Sequence, residues 1–203
     1  MQLLAIILAS NNPPFQDSPT ILAKAYRLHR FGMLQKKAIK DMCKFLGRTM
    51  PSATQPSTRS SFSHEEYMAH VYHRSDGIIC TAITDAEYPS RILFPLLRRT
   101  IEIFCERFGE EWKSPSLKKD KGFKFRELDD MIVDYQDPNR HDAVARAMEA
   151  TERTIQTLTQ SIQQVVIRGE SIDRLAAKSE DMSKAAAVFY KDSKRVKRCC
   201  III

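Results

Sequence analysis

The C-terminal third of the chain carries an unbroken repeat in which small and apolar residues recur at alternating steps of three and four around Arg168. Toward the N-terminus the positions are Val165, Ser161, Leu158, Thr154, Thr151, Ala147 and Val144. Toward the C-terminus they are Ile172, Leu175, Ser179, Met182, Ala186, Phe189, Ser193 and Val196. This heptad spacing places the side chains on one stripe of a helix that supercoils with partner helices. We therefore predict a long coiled-coil helix that begins after residues 137–139 and runs to about residue 194.

Arg168 is the one charged residue in this stripe. A buried arginine costs free energy unless its guanidinium finds acceptors, and a water-free layer of carbonyl oxygens satisfies its five donors. A misaligned bundle buries the same arginine unpaired, so Arg168 selects one register. Gly169 costs about 1 kcal/mol of helix propensity. Because Thr and Ser positions weaken the stripe as well, we expect the helix to fold only when partners bind.

The first 137 residues predict a small α+β domain. Strands are expected at residues 3–8, 20–27, 67–74 and 78–84, the last two joined by an Asp-Gly turn. Helices are expected at residues 36–48, 90–108 and 125–135. Pro95 should bend the second helix unless that helix begins later. Residues 51–63 are rich in Ser, Thr and Pro and predict a loop.

The formal net charge of +7 at pH 7 indicates attraction to an acidic partner, either nucleic acid or an anionic membrane surface. Nucleic acid is the weaker interpretation, because the sequence has no zinc-ligand cluster and no aromatic-basic RNA-binding motif. We find no phosphate-binding loop, Ser-His-Asp set or paired carboxylates, and we expect no catalysis, metal site or small-molecule substrate. Cys43, Cys80 and Cys105 are typical of reduced core residues in a cytosolic protein. No run approaches the roughly 20 apolar residues of a membrane helix.

The chain ends in Cys199 and Cys200 followed by isoleucines. This ending fits a prenylation box at Cys200, and Cys199 is placed for palmitoylation or a second prenyl group. Ile203 lies outside the usual farnesyl set, which leaves geranylgeranyl open. One lipid chain gives only reversible membrane binding, and the basic residues at 191–198 add roughly 1 kcal/mol each near anionic lipid. We expect acylation of Cys199 to trap a prenylated, exchanging protein on the membrane.

Five short motifs resemble those of one protein family. They are residues 70–74 (HVYHR), 87–91 (EYPSR), 135–138 (YQDP), 165–170 (VVIRGE) and 172–175 (IDRL). The first two are similar to a longin domain, the third to the linker that follows it, and the last two to the centre of an R-SNARE motif. Their order is that of the prenylated longin-domain R-SNAREs, the YKT-type synaptobrevin homologues, and the resemblance covers nearly the whole chain. The loop at 51–63, Pro95 and Ile203 depart from the family pattern.

The resemblance implies a longin domain at residues 1–137, an R-SNARE coiled-coil motif at 138–198 and a lipidation tail at 199–203. The longin domain is expected to be profilin-like, with an antiparallel sheet flanked by helices. The resemblance also implies that the chain is not an enzyme and carries no cofactor other than covalent prenyl and palmitoyl groups.

The implied function is vesicle docking and membrane fusion through a parallel four-helix bundle. In that bundle Arg168 forms the central layer with glutamines of three Q-SNARE helices, and the other repeat positions form the remaining layers. The expected partners are those helices, the SNARE disassembly machinery and a membrane surface, without nucleic acid. The expected location is a cytoplasmic pool and the cytoplasmic face of Golgi, endoplasmic reticulum, endosomal or vesicle membranes.

A second apolar set lies beside the repeat and consists of Met148, Ile155, Ile162 and Val166. It either widens the helix face in a four-helix bundle or serves a closed state. In the resembled family the SNARE segment folds back on the longin domain, and a hydrophobic groove shelters the prenyl chain. Phe45, with Met42 and Leu46 on the first predicted helix, matches a groove-lining position. Ordinary core packing explains these three residues equally well.

Two other functions are consistent with parts of the sequence. One is a lipid-anchored longin-type tethering or adaptor protein without fusion activity, and the arginine in the stripe argues against it. The other is a prenylated regulatory GTPase, which the missing Gly-x-x-x-x-Gly-Lys-Ser/Thr loop argues against.

Overall fold

A six-stranded sheet forms the centre of the fold. The computed structural model describes residues 1–11, 19–114, 120, 122–151 and 157–196, leaving aside the side chains of residues 34, 149–151 and 192–196. The strands are β1 (Leu3–Ser10), β2 (Thr20–Tyr26), β3 (Thr58–His64), β4 (Tyr67–His73), β5 (Ile78–Asp85) and β6 (Thr157–Ser161). Their order across the sheet is β2-β1-β5-β4-β3-β6, and each neighbouring pair is antiparallel except β3 and β6. The predicted antiparallel sheet is confirmed, and a strand from the C-terminal segment extends it.

Helices cover both faces of this sheet. They are α1 (Met33–Thr49), α2 (Ser90–Phe108), α3 (Glu127–Asp134), α4 (Asp142–Thr151), α5 (Ile172–Lys178) and α6 (Lys184–Val196). A ribbon of two short strands, β7 (Val166–Ile167) and β8 (Glu170–Ser171), precedes α5. One hydrophobic core lies between the sheet and α2, α3 and α4, and a second lies between the sheet and α1, α5 and α6.

Strand β1 contributes to both cores. Leu3, Leu4, Ile6, Ile7 and Leu8 are at most 1% exposed. Successive side chains of a strand point to opposite faces, so a continuous apolar run supplies both layers. The predicted burial of this strand on both faces is confirmed, as are its hairpin partner β2 and helix α1.

The β4–β5 hairpin forms around the predicted Asp-Gly turn. Gly77 has a φ of 94°, in the left-handed region that glycine adopts without steric cost. Arg74 Nε and Nη2 donate to the two carboxylate oxygens of Asp76 at 2.9 and 2.6 Å. The turn is therefore held by its own side chains, and the hairpin prediction is confirmed.

One local feature differs from the sequence-based expectation, and one agrees with it. The predicted loop at 51–63 is wrong in its second half, because residues 58–63 belong to β3 and pair with β4. The strand is rich in serine, and Ser61 Oγ lies 2.9 Å from His70 Nδ1 on β4, which allows its burial. Helix α2 has the predicted bounds and runs through Pro95, which is buried.

The C-terminal segment is not the single helix that the heptad repeat predicts. It forms α4, β6, the β7–β8 ribbon, α5 and α6. A lone helix would leave its apolar stripe in water, and intrinsic propensity contributes little to helix stability beside the packing of an apolar face. Breaking the helix lets separate parts of the segment reach the N-terminal domain. Gly169, with a φ of 80°, lies at one of these breaks.

Two histidines of β4 are buried, and burial disfavours their protonated form. The ring of His70 packs edge-on against Phe94, with ring centroids 5.9 Å apart. Burial lowers the pKa of His70 to about 4. Burial also lowers the pKa of His73, against the opposing effect of its hydrogen bond to the Thr54 carbonyl.

We expect the free energy of unfolding to decrease as the pH is lowered from 6.5 to 4. Across this window the unfolded chain binds a proton at His70 and the folded chain does not, which favours unfolding by up to about 1.4 kcal/mol per pH unit. Urea denaturation at a series of pH values measures the slope. His70→Gln should remove most of it, with His73 responsible for the remainder; an unchanged slope in this variant contradicts the assignment.

Candidate functional site

The C-terminal segment wraps around the sheet edge formed by β3. Helix α4 lies on the α2 side, where Ala145 is buried and Arg91 Nε lies 2.6 Å from Asp142 Oδ1. Strand β6 then pairs in parallel with β3. Helices α5 and α6 lie on the other side, and α6 packs against α1. The segment predicted to bind partners therefore contacts both faces and one edge of the N-terminal domain.

The structure divides the heptad positions into three groups. The buried positions are Val165, Ile172 and Ala186. The half-buried positions are Ser161, Leu175, Ser179, Met182 and Phe189. The exposed positions are Val144, Ala147, Leu158 and Arg168. Thr154 lies outside the described residues, as do the side chains of Thr151, Ser193 and Val196.

The face that packs on the domain is offset from the heptad stripe. Ile162, Ala176 and Tyr190 lie off the repeat, yet all three are buried. Ile162 belongs to the second apolar set, in which Met148 is half-buried, Val166 is exposed and Ile155 lies outside the described residues. The structure thus uses part of the second set, together with part of the repeat, to close the segment onto the domain.

Arg168 lies in the turn between β7 and β8 and is exposed. This placement differs from the buried helical position that the repeat predicts. Its φ is 51°, and the following Gly169 has a φ of 80°. A left-handed backbone conformation costs an ordinary residue about 1–2 kcal/mol. The folded-back conformation therefore carries a local cost at Arg168 that a helix would relieve.

The three candidate groove residues lie together under the C-terminal segment. Met42, Phe45 and Leu46 are 0–2% exposed and share one core with the segment's Ile162 and Ile172. Full burial of an aliphatic or aromatic side chain stabilises a fold by about 1.5–3 kcal/mol. The α1 face that would form a groove in the free domain is covered by the chain itself.

A cavity of about 810 Å³ remains at the edge of this contact. Phe45, Ile167 and Leu175 form its apolar lining, and charged residues of α1 and α5 surround it. Its volume is within the range of about 300–1,000 Å³ that small-molecule pockets occupy.

Two basic residues of α1, Lys44 and Arg48, form ion pairs with two carboxylates. Asp120 lies between α2 and α3, and Asp181 lies just before α6. We call these four residues the Arg48 cluster. Arg48 Nε lies 2.6 Å from Asp181 Oδ2, and its Nη2 lies 2.5 Å from Asp120 Oδ2. Its Nη1 donates to the Pro19 carbonyl at 3.0 Å. Lys44 Nζ adds a second contact to Asp181 at 2.7 Å. The Arg48 side chain is only 9% exposed, so these acceptors take the place of water.

The Arg48 cluster depends on ionised carboxylates. Burial alone would raise the pKa of Asp181, but hydrogen bonds from Lys44 and Arg48 outweigh burial and hold it below the usual 3.8. Asp120 is shifted in the same direction, because its hydrogen bond with Arg48 likewise outweighs burial. A depressed pKa in the folded state means that the stabilising contribution is present above pH 3.8 and is lost as the pH falls through the folded-state pKa.

Aromatic contacts fix the middle of α6. Tyr190 stacks on His64 with ring centroids 4.2 Å apart, and His64 Nε2 lies 3.3 Å from the Tyr190 carbonyl. Phe189 contacts Tyr67 at 6.3 Å between centroids. Burial raises the pKa of the Tyr190 hydroxyl, which keeps it neutral at physiological pH. These rings hold α6 at the β3–β4 turn.

Two family profiles match the chain. Residues 28–132 match the Longin profile, described as a regulated-SNARE-like domain, and residues 143–202 match the Synaptobrevin profile. The chain belongs to the longin-domain synaptobrevins, a SNARE family without enzymatic activity.

Individual relatives show which type of longin-domain synaptobrevin the chain is similar to. The VAMP-like protein YKT61 of Arabidopsis thaliana is 34% identical over 203 residues, which are 100% of both chains. Synaptobrevin homolog YKT6 of Saccharomyces cerevisiae is 34% identical over 183 residues, which are 90% of this chain and 91% of the yeast protein. The protein of the same name from Eremothecium gossypii is 32% identical over 98% of each chain. The chain is an R-SNARE of vesicle trafficking, similar to the YKT6-type synaptobrevin homologues over its full length.

Some functional contacts carried no signal in the sequence. Asp181 and Arg48 are 133 positions apart, and only the fold brings them together. The stacking of Tyr190 on His64 spans 126 positions and likewise has no local pattern. Cys199 and Cys200 lie outside the described residues, and their modification stays a prediction. None of the helices in the described part is long and apolar enough to cross a bilayer.

We expect Asp181→Ala to loosen α6 without unfolding the N-terminal domain. The variant leaves Arg48 and Lys44 partly buried with one acceptor fewer, and a hydrogen bond to a charged group is worth about 1.5–3 kcal/mol. Amide exchange in α6 should therefore accelerate roughly 10- to 150-fold, since 1.4 kcal/mol is a factor of ten, while β1 stays protected. Glu180→Ala removes the same charge from the neighbouring exposed residue and serves as the control. Equal acceleration in both variants would show that the Arg48 cluster does not hold the segment.

Proposed function

We propose that the protein drives vesicle docking and fusion by forming a parallel four-helix bundle with three Q-SNARE helices, and that the folded-back conformation is its autoinhibited state. The observation that carries the proposal is the burial of heptad positions Val165, Ile172 and Ala186 within the chain itself. These side chains cannot pack against the N-terminal domain and line a bundle at the same time. Partner helices and the domain therefore compete for one segment.

The competition sets the energetic threshold for assembly. Opening removes the buried contacts of α5 and α6, the Arg48 cluster and the pairing of β6 with β3. A bundle replaces them with layers along the whole repeat, including Val144, Ala147 and Leu158, which are exposed in the closed chain. Partners thus gain apolar burial that the domain alone does not provide.

Arg168 changes role on assembly. In the open helix its backbone leaves the left-handed region, and its guanidinium enters the central layer. Glutamine carbonyls of the three Q-SNARE helices accept its donors, and only the aligned register provides them. Arg168 lies in the β7–β8 turn of the closed state, and in the bundle it selects the aligned register.

Lipidation of the tail attaches the protein to the membrane on which the bundle forms. A prenyl group on Cys200 supplies one reversible anchor, and a palmitoyl or second prenyl group on Cys199 supplies the other. The cavity beside Phe45, Ile167 and Leu175 can shelter the prenyl chain in the closed, cytoplasmic form. The open, doubly lipidated form works on the cytoplasmic face of Golgi, endoplasmic reticulum, endosomal or vesicle membranes, and the SNARE disassembly machinery returns it to the closed state.

The direct test is bundle formation. The full chain is mixed with three glutamine-containing SNARE helices and analysed for a complex that resists SDS without heating. A stable four-component complex supports fusion activity. Failure to form it, with the chain still bound to membranes, supports the alternative of a lipid-anchored tethering or adaptor protein.

We expect Arg168→Ala to slow fusion of reconstituted vesicles at least about tenfold. The variant leaves three glutamine carbonyls in the central layer without donors. Each unsatisfied buried group costs about 1–3 kcal/mol, so that two of them already exceed a factor of about ten. Lipid mixing between vesicles that carry the R-SNARE and the Q-SNAREs measures the rate. Arg174→Ala, at an exposed position off the repeat, is the matched control. Normal fusion by Arg168→Ala would contradict the proposal that Arg168 selects the register of the bundle.

We expect Cys199→Ser to convert stable membrane attachment into weak, exchanging attachment, because a single lipid chain binds membranes only marginally. Fractionation of cells and washing of isolated membranes measure the retained share. Cys105→Ser, within the longin domain, controls for loss of a thiol elsewhere. Unchanged membrane retention of Cys199→Ser shows that the second lipid is not required.

A further inference from the structure

One short segment is strongly basic. Residues 24–40 contain six Lys or Arg residues and no Asp or Glu, whereas the whole chain has a net charge of +7. The six residues are Lys24, Arg27, Arg30, Lys36, Lys37 and Lys40. None of them forms a salt bridge with another residue in the part of the chain that the structure describes. By contrast, Arg48, Arg74 and Arg91 each contact a carboxylate.

Four of these cations converge on a cavity of about 380 Å³ between the end of β2 and the N-terminal half of α1. We call this cavity the basic cleft. Its charged lining consists of Lys24, Arg27, Lys36, Lys40 and the single carboxylate of Asp129, with His29 at the same site. Lys24, Arg27 and Lys40 are exposed, and Lys36 is half-buried. Four cations that share a single carboxylate leave an excess of positive charge in the cleft, and a multiply charged anion there relieves their mutual repulsion.

An exposed apolar side chain lies three residues before Lys36 on α1, and residues at this spacing are neighbours on a helix surface. Met33, the first residue of α1, is 88% exposed, the highest value among the exposed large hydrophobic residues. A soluble anion gains nothing from an exposed methionine, whereas a bilayer accepts it at the boundary between headgroups and acyl chains. Cations that meet phosphate, next to an apolar residue that enters the interface, are the two components of peripheral membrane binding.

The direction of α6 places its C-terminal end at the same end of the sheet as the basic cleft. Asp181, just before α6, contacts Arg48 at the C-terminal end of α1. Midway along α6, Tyr190 stacks on His64, the last residue of β3. The strand register places this end of β3 on the same side of the sheet as Tyr26, the last residue of β2. Helix α6 therefore runs toward the end of the molecule where the basic cleft opens.

We propose that the basic cleft and Met33 form a membrane contact of the longin domain, which binds the phosphate-bearing headgroups of an anionic bilayer independently of lipidation. The contact goes beyond the proposed fusion function and does not depend on it. While α6 stays packed on α1, the cleft and the C-terminal end of α6 face one bilayer together. The domain would then hold the closed chain at a membrane before any SNARE partner binds.

The test uses the full, unlipidated chain with Cys199→Ser and Cys200→Ser, so that no acyl or prenyl group contributes. Vesicles of phosphatidylcholine alone, with added phosphatidylserine, or with added phosphatidylinositol 4,5-bisphosphate are sedimented with the protein. Binding should require the anionic lipids and weaken with salt. Since each cation near an anionic surface contributes about a factor of five, Lys24→Gln/Lys36→Gln should lower the partition coefficient about 25-fold.

Arg146→Gln/Lys184→Gln removes two charges from other parts of the surface and is the matched control. It should leave binding within about twofold of the parent chain, because those charges lie outside the cleft. Met33→Trp provides an independent readout, since the native Trp112 is 1% exposed and stays in the core. Its fluorescence should shift to the blue on anionic vesicles and not on phosphatidylcholine.

Several outcomes overturn the proposal. Equal losses in the two double variants would show a general charge effect rather than a site. Binding to phosphatidylcholine alone would exclude headgroup recognition. Binding of soluble inositol hexakisphosphate or of a short DNA duplex, without binding to vesicles, would assign the cleft to a free phosphate compound or to nucleic acid. None of these outcomes depends on SNARE pairing, so the membrane contact and the proposed fusion function are tested independently.

Discussion

The contact between the apolar face of α1 and the C-terminal segment is the apolar interaction on which the folded-back arrangement depends. Met42, Phe45 and Leu46 need a cover, and the segment provides one with Ile162 and Ile172. The pairing of β6 with β3, the Arg48 cluster and the stacking of Tyr190 on His64 add to this apolar contact and tie the segment to the domain. A chain whose partner-binding residues are held in its own core cannot assemble without first giving up that burial.

Polar contacts make the closed arrangement specific. Apolar burial is non-directional, so it favours many ways of laying a helix on α1. Arg48 Nε donates to Asp181 Oδ2 at 2.6 Å, which fixes the residues just before α6. The stacking of Tyr190 on His64 fixes α6 itself, nine residues further along the chain. The two contacts lie at different ends of the sheet, and together they define both the position and the direction of α6.

The sequence predicted the strands, turns and helices that are determined by residues close together in the chain. The apolar run of β1, the Asp-Gly hairpin and the bounds of α2 were all predictable, because each depends on neighbouring residues. Strand β3 was missed, since the burial of Ser61 depends on a partner, His70, from the next strand. The heptad repeat describes the helix that partners would induce, whereas the closed conformation depends on contacts more than 100 positions apart. The candidate groove residues were found by resemblance, but that the chain itself covers them depends on the fold.

Strand β6 is one of the two edge strands of the described sheet and shields the backbone of β3. In the proposed open state, β3 becomes an edge whose N–H and C=O groups on that side lack partners. Such an edge accepts any extended peptide in the same parallel register. Its serines and Arg59 make it a poor surface for aggregation, yet a suitable one for a selected strand. In the proposed mechanism, the release of the segment and the uncovering of the β3 edge are therefore one event.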